Sequence, residues 1–155
     1  MNEPLNLFDA AVGSDPGQPP AGYGVRTLEF GESIGAERMG GSIYELDPGD
    51  SVCPYHWEGV EEEWLLVLLG TPTLRDPDGE HELTRGDLVC FLPGPEGAHK
   101  VTNRSDGVAR VLMLSTKPSP DISICVYPDS DKVGVWPPGG RYRMSDTLGY
   151  WDGET

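Results

Sequence analysis

Apolar and polar residues alternate over short runs along this chain, and Gly, Pro and Asp separate the runs. Because successive side chains of a strand point to opposite faces, such runs predict β-strands. No apolar stripe with a period of about 3.6 residues extends far enough to predict a long helix. The pattern therefore predicts a helix-poor, all-β sandwich or barrel. Strands are predicted at residues 23–30, 42–46, 52–58, 63–69, 71–75, 88–92, 98–103, 109–115 and 122–127.

The run from residue 63 to residue 69 is the most apolar in the chain. One face of this strand would carry Leu65, Val67 and Leu69, and the other would carry Trp64, Leu66 and Leu68. In a small domain, a strand that is apolar on both faces is expected to meet another sheet or a second subunit on its outer side. Because two-fold dimers are the commonest small assemblies, this pattern predicts a homodimer formed through sheet packing.

The two ends of the chain differ from its middle. Residues 1–21 are rich in Pro and Gly and are predicted to be an extended arm, with Leu5, Leu7 and Phe8 as anchors against the body or a second subunit. Residues 128–155 carry aromatic side chains among Pro and Gly, which predicts an ordered C-terminal wrap because disordered tails are poor in aromatics. The remaining residues, 22–127, form the predicted β-barrel.

Composition and charge narrow the classes of partner and compartment. The formal net charge of −15 argues against nucleic acid and anionic membranes, because both require a basic surface. No stretch is long and apolar enough to predict a transmembrane helix, and residues 1–12 lack the pattern of a signal peptide. Cys53, Cys90 and Cys125 are odd in number and fall in predicted strands. We therefore expect reduced, buried thiols in a cytoplasmic protein.

Candidate chemistry concentrates between residues 56 and 63. In a strand over 52–58, His56 and Glu58 would point to the same face. Glu63 begins the apolar strand that follows, where a carboxylate is costly to bury unless a cation accompanies it. A metal ion with His56 as its nitrogen ligand explains both features, although a lone histidine on a strand is more often structural.

Neighbouring polar residues have simpler interpretations. Glu61 and Glu62 are expected to be solvated turn residues, and His81, just past a predicted hairpin turn, is expected to be exposed. Glu58 is open between three roles: a metal ligand, a base beside the ion and a surface carboxylate.

The spacing of these residues resembles the first motif of the cupin superfamily. That motif reads His-x-His, four residues, Glu, six residues and Gly, and His56, Glu58, Glu63 and Gly70 fall in its register. Glu58 stands where the second histidine is usual. The spacer that follows Gly49 is one residue longer than the usual pattern.

A second segment, residues 86–103, resembles the second cupin motif. It places His99 four residues before Asn103. Its opening spacer is again one residue longer than usual, and only Ala98 separates Gly97 from His99. Asn103 itself is interpreted as a residue that caps a turn or strand end.

The resemblance, closest to small single-domain bacterial cupins, implies a fold and a site. The fold is a double-stranded β-helix, a jelly-roll barrel that is usually dimeric and holds a divalent metal ion in its mouth. The implied ligands are His56, Glu58, Glu63 and His99, with Glu58 also a candidate catalytic base. The ion could be Mn, Fe, Zn or Ni, and two carboxylates would favour the harder Mn(II) or Fe(II).

Fold does not select a reaction, so two functions are open. The first is a metal-dependent enzyme, a dioxygenase, a decarboxylase or other lyase, or an isomerase, that acts on a small organic acid or related metabolite. The alternative is a non-catalytic module that binds or senses a sugar or organic acid. In both, the partners are a small-molecule ligand and a second copy of the chain. A barrel whose metal site is vestigial is a third possibility.

Overall fold

The computed structural model describes residues 3–14, 17, 19–117 and 122–155. Within these residues the chain forms thirteen β-strands and two single-turn 3₁₀ helices, Pro95–Gly97 and Pro128–Ser130. The strands are β1 (Gly13–Ser14), β2 (Arg26–Glu29), β3 (Met39–Leu46), β4 (Trp57–Glu58), β5 (Glu63–Leu69), β6 (Thr73–Asp76), β7 (Gly79–Glu82), β8 (Leu88–Phe91), β9 (Lys100–Thr102), β10 (Ala109–Thr116), β11 (Ser123–Tyr127), β12 (Lys132–Trp136) and β13 (Arg141–Arg143).

The strands form antiparallel sheets that close into a double-stranded β-helix. The largest sheet has six strands in the order β1-β2-β3-β10-β5-β8. A four-stranded sheet, β13-β12-β11-β4, and a three-stranded sheet, β7-β6-β9, form the other side. Isolated bridges from Ser51 to Thr102 and from His56 to His99 join these two smaller sheets through the segment before β4. The helix-poor, all-β fold predicted from the sequence is confirmed.

Apolar side chains from both sides fill the interior of the barrel, since each strand turns one face inward. This inner core consists of Val25, Leu46, Leu65, Val67, Leu74, Leu83, Phe91, Val101, Val111 and Met113. Polar site residues therefore lie next to an apolar wall, where charged groups are poorly solvated.

The strand predicted at 63–69 has the same bounds in the structure. Leu65 and Val67 face the inner core, and Leu68 lies in a second apolar cluster on the outer face of the six-stranded sheet. Leu69 was predicted to share the face of Leu65, but it is 50% exposed. The pairing with β10 shifts at this point, because Arg110 lies opposite Leu69 and Val111 opposite Val67. This β-bulge interrupts the alternation that the sequence pattern assumed.

The N-terminal arm packs against the body of its own chain. Leu5 and Leu7 lie against the outer cluster, whereas Phe8 is exposed. The Arg110 guanidinium donates to the backbone carbonyls of Leu7, at 3.0 Å, and Ala10, at 2.6 Å. Strand β1 pairs with β2, so this region also contributes a short strand, which the prediction of a simple surface arm did not include.

Two other segments differ from the predicted strands. Only Trp57–Glu58 of the predicted strand 52–58 is regular, because Pro54 has no N–H to donate to a ladder. The predicted C-terminal wrap contains β12 and β13, while Leu148, Tyr150 and Trp151 beyond them are exposed.

The three cysteines are free thiols in different environments. Cys125 is buried and Cys53 is half-buried, but Cys90 is exposed on the edge strand β8. The prediction of a buried thiol was therefore wrong for Cys90, whose side chain points away from the core. Among the described residues, no helix is long and apolar enough to cross a membrane.

Candidate metal centre

The isolated bridge between residues 56 and 99 brings two histidines together at one end of the barrel. The His56 N–H donates to the His99 carbonyl at 3.1 Å, and the His99 N–H donates to the His56 carbonyl at 2.8 Å. Residues paired in this way point their side chains to the same face of the sheet. The ring centroids are 4.6 Å apart, close enough for both rings to reach one ion.

Hydrogen bonds fix which ring nitrogen of each histidine faces the centre. Nδ1 of His56 lies 3.0 Å from the Pro54 carbonyl oxygen, and Nδ1 of His99 lies 2.9 Å from the Gly97 carbonyl oxygen. A carbonyl can only accept, so each Nδ1 carries a hydrogen. In the neutral rings this leaves the lone pair on Nε2, the arrangement found in histidines that ligate metal ions.

Two carboxylates complete the cluster. Oε2 of Glu63 lies 3.7 Å from His56 Nε2 and 3.5 Å from His99 Nε2, and Oε1 of Glu58 lies 3.7 Å from His56 Nε2. Across the part of the chain that the structure describes, neither carboxylate forms an ion pair with Lys or Arg. The sequence-predicted residues His56, Glu58, Glu63 and His99 are thus brought to one place.

Several buried polar atoms in this cluster have no hydrogen-bond partner. They are Glu58 Oε2, Glu63 Oε2 and His99 Nε2, and outside the cluster Glu61 Oε2 is also buried without a partner. Each such atom costs about 1–3 kcal/mol when it is left unpaired. A divalent ion would satisfy the Glu63 and His99 atoms together, so the residues present fit a metal ion. The buried oxygen of Glu61 also corrects the expectation that this residue is a solvated turn residue.

The atoms that could ligate an ion fall into two groups. His56, Glu63 and His99 form one group, and His56, Glu58 and Cys125 form the other; within each, the atoms lie within 4.8 Å of one another. Bonds to a transition metal are about 2.0–2.3 Å long, so ligand atoms need to approach to about 3.5 Å. Small side-chain adjustments would close either group around an ion.

Burial and mutual charge perturb the ionisation of these groups. Burial raises the pKa of Glu58 to about 7, and contact with Cys125 opposes this rise. Burial also lowers the pKa of His99 to about 4, and the neighbouring His56 contributes to the decrease. Burial acts against ionised His56 too, but its interactions with Cys53 and Glu63 outweigh burial and raise its pKa to about 11. Without an ion, these interactions therefore favour a second proton on the His56 ring, at Nε2.

Aromatic rings enclose the histidine side of the cluster. Phe91 stacks on His99 with centroids 3.7 Å apart, and Tyr127 stacks on His56 at 5.9 Å. The side chains of His56 and His99 are 9% and 1% exposed, and those of Glu58 and Glu63 are 17% and 16% exposed. A ligand would therefore approach from the carboxylate side.

Sequence reasoning missed Cys125 as a neighbour of the site. Cys125 lies directly opposite Glu58 in the pairing of β11 with β4, and its side chain points inward. Alternation along β11 could have shown that Cys125 faces inward, but the partner strand was not predictable from spacing. Burial raises the pKa of this thiol well above its usual range.

The remaining polar candidates serve structure. Asn103 is fully buried, and its amide donates to the carbonyls of Leu46 and Gly107 at 2.9 and 2.7 Å, as expected for a residue that closes a turn. His81 is exposed, as predicted, with Nε2 3.1 Å from Asp76. The Glu62 carboxylate accepts from the Trp64 indole at 2.7 Å.

Comparisons with known proteins agree with this fold. The Cupin domain family matches residues 42–115. A sugar phosphate isomerase of the cupin superfamily from Silicibacter pomeroyi is 22% identical and covers 97% of this chain and 98% of that one, with a TM-score of 0.78. A candidate sugar phosphate isomerase from Acidithiobacillus ferrooxidans is 24% identical over 83% of this chain and 81% of that one, with a TM-score of 0.75.

A more distant structure carries a different function. A polyketide cyclase from Streptomyces resistomycificus is 22% identical over 75% of this chain and 80% of that one, with a TM-score of 0.59. No curated protein matches the sequence. At these identities the structural likeness establishes the fold, and the family match covers the segments that carry His56, Glu63 and His99. Residues 42–115 of this chain therefore form a cupin domain.

Proposed function

We propose that this protein is a metal-dependent enzyme that moves a proton on a small organic acid or related metabolite, in an isomerase or lyase type of reaction. One divalent ion would be held by His56, Glu63 and His99. Glu58 would serve as the base. The protein would be cytoplasmic, and its partners would be the small-molecule substrate and a second copy of the chain.

The observation that carries this proposal is the convergence of unpaired buried ligand atoms. Nε2 of His99 and Oε2 of Glu63 are both buried without a hydrogen-bond partner and lie 3.5 Å apart. Two histidines and one carboxylate leave coordination positions open on an ion such as Mn(II) or Fe(II). When bound, such an ion polarises a substrate carbonyl and stabilises the negative charge that develops on its oxygen.

The position of Glu58 supports its role as a base. Its carboxylate lies beside the group formed by His56, Glu63 and His99 but belongs to the other group of ligand atoms. Burial raises the pKa of Glu58 in the metal-free protein, and a carboxylate made more basic in this way accepts a proton from a substrate more readily. Glu58 is also on the side from which a ligand can approach. The structural relative from Silicibacter pomeroyi is named a sugar phosphate isomerase, and an isomerase activity is compatible with proton transfer of this kind.

A non-catalytic binding role is the second candidate. The observation in its favour is the apolar filling of the barrel, which leaves the cluster at one end of a packed core. Such a site could hold a small acid against the ion without converting it. Saturable binding without turnover would favour this alternative.

The test combines metal analysis with proton exchange. Protein purified without chelator or affinity-column metal is expected to contain about one divalent ion per chain. Loaded with Mn(II), it is then incubated in D₂O with a panel of 2-hydroxy acids, 2-keto acids and sugar phosphates. We expect deuterium at the carbon next to the carbonyl of one class, detected by NMR.

Two variants make the outcome specific. Glu58→Gln should keep the Mn(II) content but lose exchange by about 10²-fold or more. Glu96→Gln, a change at an exposed carboxylate outside the cluster, should leave both unchanged. Exchange that survives in Glu58→Gln would remove Glu58 from the proposed role, and absence of metal from the parent protein would refute the proposed function.

A further inference from the structure

Cys125 belongs to a second group of ligand atoms that the proposed reaction does not use. Its sulfur, an oxygen of Glu58 and a nitrogen of His56 lie within 4.8 Å of one another. Cys125 is 3% exposed, so its sulfur is shielded from solvent and from large reagents. This group contains a soft sulfur, a borderline nitrogen and a hard oxygen.

Both groups of ligand atoms contain His56. Its Nδ1 is committed to the Pro54 carbonyl at 3.0 Å, so only Nε2 can ligate, and Nε2 has a single lone pair. The groups therefore cannot be filled at the same time by two ions. They are alternative sets of ligands for one ion at His56 Nε2.

The geometry points to a second metal position, formed by His56, Glu58 and Cys125, which takes a thiophilic ion such as Zn²⁺. This inference rests on the proposed function, because it assumes that His56 Nε2 ligates a metal ion. The position at His56, Glu63 and His99 would hold harder ions, whose preferred ligands are oxygen and nitrogen. The identity of the ion would thus decide whether Glu58 is free as a base or is occupied as a ligand.

Cross-strand pairing fixes the sulfur in this position. Cys125 and Glu58 are directly opposite in the β11–β4 ladder, where paired side chains lie on the same face. The next inward residue of β11, Tyr127, stacks on His56 and so places the whole face of β11 against the cluster. When the Cys125 thiol ligates, it releases its proton to solvent as the sulfur–metal bond forms.

The experiment compares a thiophilic probe with a hard one. Cd²⁺ reports a sulfur ligand by ligand-to-metal charge-transfer absorption in the near ultraviolet, and Mn²⁺ binding is followed by calorimetry. Cys90→Ser is introduced throughout, because this exposed thiol would bind Cd²⁺ on its own. We expect the Cys90→Ser protein to show the Cd²⁺–thiolate band at one equivalent.

Two further variants should separate the positions. Cys125→Ser is expected to lose the band and weaken Cd²⁺ binding by roughly tenfold or more, with Mn²⁺ affinity changed by no more than about twofold. His99→Ala is expected to lose Mn²⁺ binding and keep the Cd²⁺ band. Circular dichroism checks that each variant is folded, and Cys125→Ala replaces Cys125→Ser if the serine variant is not.

Cys53→Ser is the matched control. Cys53 also contacts His56, but its sulfur lies 3.4 Å from Nδ1, on the opposite side of the ring from the cluster. The band should therefore persist in Cys53→Ser. A band that is absent at the start, or that Cys125→Ser retains, overturns the second position even if Mn²⁺ binds. A band without any Mn²⁺ binding would overturn the proposed function and leave the second position standing.

Discussion

Glu58 and Glu63 each place a carboxylate oxygen 3.7 Å from Nε2 of His56. This nitrogen is the only ligand atom common to both groups of the centre. Two carboxylates around one imidazole favour a positive charge between them, which either a proton or a metal ion can supply. A proton and a metal ion therefore compete for Nε2 of His56.

The first prediction concerns the pH dependence of metal binding. Because the pKa of His56 is raised to about 11, metal-free protein holds a second ring proton, at Nε2, at neutral pH. Mn²⁺ must displace this proton to bind. Affinity should therefore rise with pH throughout the range from about 6 to 8, not only below the usual histidine pKa of about 6.5. Calorimetry in buffers of different ionisation enthalpy should show release of about one proton per ion. A pH-independent affinity above pH 7 would contradict this assignment.

The second prediction concerns His99. Replacing His99 by Ala removes an unpartnered buried nitrogen and should abolish Mn²⁺ uptake. The lost stacking on Phe91 should lower the free energy of unfolding by about 1–3 kcal/mol without loss of the fold. Metal content by mass spectrometry and circular dichroism test these two effects. His81→Ala, a change at an exposed histidine, is the control, and Mn²⁺ uptake by His99→Ala equal to that of the parent would show that the centre is wrong.

The third prediction uses the carboxyl of Glu58 in metal-free protein. Burial raises its pKa in the folded state to about 7, whereas the unfolded chain loses this proton near the ordinary value of about 4.5. The folded state is therefore penalised as pH rises above 4.5, and the penalty is complete above pH 7. Glu58→Gln should remove it and raise stability at pH 8 by about 1–2 kcal/mol.

The control for this effect is a change of pH. At pH 4 both folded and unfolded chains carry a protonated Glu58, so Glu58→Gln should be nearly neutral there. Chemical denaturation at the two pH values measures the difference. Equal effects at pH 4 and pH 8 would mean that burial of the charge is not the cause.

The sequence predicted the parts of the fold that depend on local pattern. Strand β5 has its predicted bounds because a long apolar run follows a turn and ends at Gly70, whose φ of +79° suits glycine. The predicted strand 52–58 was mostly interrupted at Pro54. The outward position of Leu69 depends on a β-bulge. A bulge arises from the pairing of two strands, so the sequence of β5 alone does not reveal it.

The residues of the candidate site that belong to the two motifs could be predicted from the sequence, because the motif spacing identifies residues that meet in the folded protein. His56 and His99 are far apart in the chain, and their convergence was inferred from resemblance, not from periodicity. Cys125 lay outside both motifs, so its contact with Glu58 required knowledge of the β11–β4 pairing. Long-range strand pairing depends on packing over the whole barrel, and this explains why the thiol was interpreted only as a core residue.

The fourth prediction concerns Asn103, a buried polar residue whose role we expect to be structural. Asn103 is fully buried like His99, but its side chain donates to two carbonyls and accepts from the Ser105 N–H and hydroxyl. Asn103→Ala should lower the free energy of unfolding by about 2–4 kcal/mol, since it leaves buried carbonyls unpaired. Mn²⁺ affinity of the folded fraction should be unchanged. Reduced affinity with normal stability would instead connect Asn103 to the metal centre.

The last prediction is the homodimer, which we expect to form through the outer face of the six-stranded sheet. Strand β8 is an edge of this sheet, and it carries exposed Leu88 and Cys90 next to the exposed Trp64 on β5. An unpaired edge with apolar side chains is a natural surface for a second copy.

Light scattering at micromolar concentration should therefore give twice the mass of one chain. Leu88→Lys, at a side chain that is 57% exposed, should give the single-chain mass with little loss of stability. Leu148→Lys, at a side chain of the C-terminal segment that is 81% exposed, tests whether that segment contributes. A parent protein with the mass of one chain would end this proposal.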